Sequence, residues 1–186
     1  MDTDYLTPKF LSIMMCKLIN NPIRGIKSFP ILSKGLVFLI ISYFISTLFI
    51  GLFSGLFSLN IIPSHLMIFL PVILLLYPSF IEECIFRGIL IPYDINIYRL
   101  WQRIIYVAWH PLNALLYNKD AIPKDAIPIF LNQYFLIITA LLGITCGIAY
   151  IISRSLWVPV FIHWTTVFVW VGFFNGRNEV VKYFNR

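Results

Sequence analysis

Glu82, Glu83 and Arg87 fall within six residues at the edge of a long apolar run, LMIFLPVILLLYPSFIEECIFRGILIP, from Leu66 to Pro92. A charge at bilayer depth costs roughly 2.5–3.5 kcal/mol on insertion scales, so three such groups need a use or a pairing. On a helix Glu83 and Arg87 stand at i and i+4, share a face and can pair. Glu82 projects about 100° away from Glu83 and is left available for chemistry. A carboxylate withdrawn from water binds a proton more tightly, so it can take one from a water molecule and return it to a leaving group. His110 and His163 recur in later apolar stretches. A carboxylate, two imidazoles and an arginine offer a base, a water-positioning group and an electrophilic donor, an inventory suited to hydrolysis of a peptide bond. Glu82, His110 and His163 are also plausible zinc ligands, although HExxH is absent and the three are scattered singly over the chain. The main expectation is a site without cofactor; zinc is the alternative. His65, beside Pro63 and Ser64, reads as interfacial.

The elements that must position these residues are apolar helices. Of 186 residues, 60% are hydrophobic and 12% are charged, against roughly half and about a quarter in soluble domains. Several stretches approach or exceed the ~20 residues that cross a bilayer as helix. The expected fold is an all-α polytopic membrane protein: a bundle of about five transmembrane helices with an N-terminal amphipathic segment. Residues 1–33 form the basic N-terminal segment, 34–175 the helical domain and 176–186 a polar tail.

Residues 8–28 mix apolar and basic side chains; the first half would lie on the membrane surface and end at Asn20, Asn21 and Pro22. The first span runs from about Lys34 to Leu59 and carries Gly51 and Gly55 as GLFSG, a small-xxx-small pattern that favours close helix packing within the chain or in an oligomer. The second, from about Ser64 to Pro92, carries the glutamates and should kink at Pro71 and Pro78. A shorter third, from about Arg103 to Tyr117, holds His110. The tandem repeat KDAIPKDAIP, 119–128, reads as an extended loop. The fourth and fifth spans, about Ile127 to Ser153 and Ser155 to Phe174, carry the Gly143/Gly147 pair and His163.

The net charge of +6 is concentrated, outside the Glu82–Arg87 cluster, in connections and tails. Lys9, Lys17, Arg24, Lys27 and Lys34 precede the first span, which argues for a cytoplasmic N-terminus and contact with membrane lipids rather than nucleic acid. Cys16, Cys84 and Cys146 are far apart without a CxxC, so a disulfide framework or thiolate zinc site is not expected. The first 30 residues lack the h-region and cleavage site of a signal peptide.

Three segments in order resemble a known family. Glu82-Glu83-Cys84-Ile85-Phe86-Arg87, followed by Gly88, resembles the EExxxR motif of the CAAX endopeptidase and bacteriocin-processing (CPBP, or Abi) membrane proteases. Tyr106 to His110 is similar to the second motif, which usually opens with Phe. GITCGIAYIISRSLWVPVFIH, Gly143 to His163, is similar to the penultimate helix, the Ser-Leu-Trp-x-Pro turn and the last catalytic helix. The segments HPLNAL and HWTTVFVW resemble a cyanobacterial and plastid branch. The resemblance covers roughly residues 70–170. It implies a glutamate-type intramembrane endopeptidase. In it Glu82 and His110 activate water, His163 stabilises the oxyanion, and Glu83 and Arg87 complete and hold the site. The substrate would be a peptide or membrane-anchored protein, with CAAX-type prenylation as one option. The setting would be a bacterial inner membrane or, in a cyanobacterium, the plasma or thylakoid membrane. The family usually carries Asn or Asp four residues after the last His; here Val167 stands there, and an apolar side chain cannot donate to an oxyanion. Thr166 and Asn113 are the candidates to substitute. A catalytically weak scaffold or bacteriocin-immunity protein is the alternative that Val167 favours. A proton-coupled transporter using the carboxylates is a third, disfavoured by the small number of spans.

Overall fold

The computed structural model describes residues 20–89, 106–109, 112, 127–174 and 176. Helix α1 covers residues 20–27 of those described, so Asn20, Asn21 and Pro22 are themselves helical. Helix α2 (Lys34–Phe53) opens on Ser33, whose side chain accepts from the Leu36 N–H. It ends before Leu59, the expected limit. Gly55 takes a left-handed φ of 71°, its N–H donates to Leu52 O, and the Phe57 N–H donates to Gly51 O. These bonds satisfy the last carbonyls of the helix. GLFSG is therefore a helix terminus, not a packing stripe. A Cβ on Gly51 would fall 2.3 Å from the ring of Phe57 on the returning chain, while Gly55 has open space around it.

The second span is broken into pieces. Helix α3 (Ser64–Leu74) accommodates Pro71 without interruption. Leu75–Phe80 then holds a kink between two helices, where Tyr77 is extended at φ −139°, ψ 125°. The break therefore falls at Tyr77 and Pro78 and not at Pro71. One α turn, α4 (Ile81–Glu83), leads into a π-helical segment, Cys84–Ile89. Such segments are frequent at functional sites because they re-aim side chains.

Of the third expected span, residues 106–109 and 112 are described and helical; His110, Asn113 and residues 119–126 of the repeat lie outside the described residues. The fourth span is split as well. The short helix α5 (Ile127–Leu131) precedes α6 (Gln133–Ser153), and the Asn132 side chain caps α6 by accepting from the Tyr134 and Phe135 N–H groups. Arg154, at φ 55°, closes α6 and turns the chain into α7 (Trp157–Phe173).

Helix α6 packs between α2 and α7, and α7 lies against α3 and the broken segment. The core joins Leu36 and Tyr43 of α2, Phe86, Tyr106, Leu142, Cys146 and Ala149 of α6, and Val158 and Ile162 of α7. Large apolar side chains stand outward along α2 and α3, among them Phe38 at 74% and Phe69 at 68% exposure. Outward apolar faces of this kind suit lipid. Three described helical stretches, Lys34–Phe53, Met67–Ile89 and Gln133–Ser153, are long and apolar enough to cross a membrane, and Trp157–Phe173 is a shorter apolar helix. The protein is an all-α membrane protein. Among the described residues no strand occurs; Asn60 and Phe174 form an isolated bridge.

Candidate active site

Glu83 is fully buried, and two cations or potential cations converge on one of its oxygens. Arg87 Nη1 lies 3.0 Å from Glu83 Oε1, the i,i+4 pairing that the spacing predicts. Nη1 makes no directed hydrogen bond among the described residues, so its attraction to Glu83 is chiefly Coulombic. His163 Nδ1 also lies 3.0 Å from Glu83 Oε1. The spacing alone does not say which carboxylate His163 meets; its Nδ1 contact is with Glu83. A carboxylate accepts but does not donate, so this contact makes Nδ1 a donor and turns Nε2 to the remaining polar role of the ring.

The arginine is held by more than the ion pair. Its Nη2 donates to Gly143 O at 3.1 Å, and its guanidinium carbon stands 4.4 Å from the centroid of the Tyr106 ring. A guanidinium over an aromatic face gains cation–π attraction while its edge stays free for acceptors. Tyr106 meets Phe86 edge-on at 5.0 Å and His163 edge-on at 6.3 Å. Gly143 makes this possible: a Cβ there would come within 2.6 Å of the Tyr106 ring. The Gly143/Gly147 pattern therefore serves, at Gly143, to admit an aromatic ring and expose a carbonyl to Arg87. The sequence signals both residues without revealing that they meet.

Glu82 has a different setting. It is half-buried, and its Oε2 is shielded from solvent with no hydrogen-bond partner among the described residues. His110, its expected partner, and Asn113 lie outside them. Among the described residues no group of three His, Cys, Asp or Glu could hold a metal ion.

One helical turn beyond His163, the Thr166 hydroxyl donates to Ile162 O at 2.7 Å. With its single proton used, Thr166 Oγ1 accepts from the Tyr43 phenol of α2 at 3.0 Å. Thr166, the expected substitute for the missing donor, is thus occupied as it stands. Tyr43 was not among the expected site residues; the signal for it was a lone phenol within the first apolar span. Cys146 is buried with its thiol directed at Pro159 O, 3.6 Å away, and Cys84 is a free, half-buried thiol.

A family model described as Type II CAAX prenyl endopeptidase Rce1-like matches residues 63–169. No curated protein matches the chain, and no solved structure does. The matched stretch is more than half the chain and holds Glu82, Glu83, Arg87 and His163. The protein belongs to the Rce1-like family of type II CAAX prenyl endopeptidases, which are membrane proteases.

Proposed function

We propose that this protein is an intramembrane endopeptidase that hydrolyses a peptide bond of a membrane-associated, CAAX-type prenylated protein. The observation that carries the reading is the contrast between two adjacent carboxylates. Glu83 is bound on Oε1 by Arg87 and His163, while Glu82 beside it makes no ion pair among the described residues; each carboxylate keeps its Oε2 without a hydrogen-bond partner among them.

In the proposed mechanism Glu82, with His110, removes a proton from the attacking water and later delivers it to the leaving amine. Glu83 fixes the ring of His163 through Nδ1–H. In the cationic ring Nε2–H donates to the oxygen that becomes negative in the tetrahedral intermediate. Arg87 holds Glu83 from the side away from the chemistry, anchored by the Gly143 carbonyl and the Tyr106 face.

The test is cleavage of prenylated C-terminal peptides by purified protein in detergent. Wild type should cleave, and Glu82→Ala should abolish cleavage while the helical signal and melting transition persist. Cleavage retained in that variant sinks the glutamate mechanism.

A second reading is a catalytically weak scaffold or immunity protein, and two features favour it: Val167 is apolar and the Thr166 proton is engaged. The Val167→Asn variant separates the two. Activity equal to or above that of wild type supports the protease, whereas no cleavage by either protein supports the scaffold.

A further inference from the structure

The exposed cations among the described residues are Arg24, Lys27, Lys34 and Arg154, and the packing gathers them at one end of the bundle. Arg24 and Lys27 lie on α1, whose C-terminal carbonyls hold the start of α7. Gly25 O accepts from the Leu156 N–H at 2.9 Å, and Ile26 O accepts from the Trp157 indole N–H at 2.9 Å. Arg154 occupies the α6–α7 turn, two residues before Leu156. Lys34 opens α2, which runs parallel to α7 and in step with it. Tyr43, nine residues after Lys34, meets Thr166, nine residues after Trp157. The described carboxylates, Glu82 and Glu83, belong to the site. The same end displays Ile23, Phe29, Ile31 and Leu32 at 42, 95, 78 and 64% exposure. Cations interleaved with exposed apolar side chains, just outside a span, match the membrane interface, and anionic headgroups attract them.

This end is also tied to the site. The last carbonyls of a helix and the first N–H groups of the next are the backbone groups that lack intrahelical partners; α1 and α7 satisfy them across the contact. The fit has no slack: a Cβ on Gly25 would fall 2.8 Å from Leu156 Cγ, and one on Gly88 would fall 3.0 Å from Pro22. Gly88 follows Arg87, and α7 carries His163. Helix α1 therefore grips both segments that bear the ion cluster.

We propose that this cationic end binds anionic phospholipid headgroups and that their binding tightens the α1 clamp on the helix carrying His163. The lipid half stands on its own; its effect on turnover rests on the protease reading.

The test reconstitutes the full chain in vesicles of phosphatidylcholine alone and in vesicles that also contain phosphatidylglycerol, and reads amide hydrogen exchange. The anionic vesicles should slow exchange about fivefold or more in residues 20–27 and at Leu156 and Trp157. Raising the salt should shrink the effect. The K27Q/K34Q double variant, which touches no site residue, should lose most of it while behaving as wild type in phosphatidylcholine. Unchanged exchange in anionic vesicles overturns the proposal, as does an effect that persists undiminished in the double variant. Slowing in α1 without slowing at Leu156 and Trp157 overturns the clamp. An intact exchange effect without turnover in any vesicle counts against the protease reading and leaves the lipid-binding face standing.

Discussion

Glu82 and Glu83 are neighbours in one helical turn, yet their surroundings differ in kind. On the Glu83 side the wall is closed. Arg87 and His163 share one carboxylate oxygen, Gly143 O and the Tyr106 face hold the arginine, and Glu83 is fully buried. Glu82 makes no such ion pair among the described residues, although both carboxylates keep a shielded Oε2 without a hydrogen-bond partner there. A buried charge survives where opposite charge and hydrogen bonds compensate its desolvation. An uncompensated one persists where chemistry uses it. The comparison teaches that identical residue types, one position apart, take different neighbours because helical rotation turns one into an ion pair and the other away from it.

Substitutions can break this division. The largest effect should come from Glu82→Gln, which keeps shape and removes the base: cleavage should fall about 10²–10⁴-fold with little change in the melting transition in detergent. Glu83→Ala should do the reverse at first order. It leaves Arg87 buried without its counter-charge, a cost of about 3–5 kcal/mol, visible as a lowered melting temperature before any assay. A Glu83→Ala protein as stable as wild type would erase the distinction between the carboxylates. Gly143→Ala sharpens the comparison from a distance. Its methyl would strike the Tyr106 ring, and overpacking of this sort costs about 1–3 kcal/mol; thermal denaturation should register it. Tyr43→Phe removes the donor to Thr166 at about 0.5–1.5 kcal/mol, a smaller loss because neither group is charged. The smallest expected effect is that of 1,10-phenanthroline: cleavage should be unchanged by it, and inhibition reversed by zinc would move Glu82 into a metal site.

Much of the cluster was legible along the chain because its information is local. The i,i+4 spacing of Glu83 and Arg87 is enough to put them on one face, and the pair forms. The prolines were legible as punctuation but not as a ranking: Pro71 is absorbed in α3, whereas the helix breaks at Tyr77, just before Pro78. The two glycine pairs read alike and behave differently. Gly55 relieves a left-handed turn, which is a backbone matter, and Gly143 gives way to a ring from another segment, which depends on packing.

The sequence by itself determined that this is an all-α membrane chain, that one motif sets three charges together at the edge of an apolar run, and that Glu83 and Arg87 share a face. Composition and helical period are properties of contiguous residues, and a bilayer leaves few alternatives to helices. Only the tertiary structure decided that His163 goes to Glu83 instead of Glu82, that Tyr43 engages Thr166 across 123 residues, and that α1 closes on α7. Those contacts depend on where separate helices cross. No period within one helix encodes that; it is set by which side chains, such as Gly143 beneath Tyr106, let the helices approach.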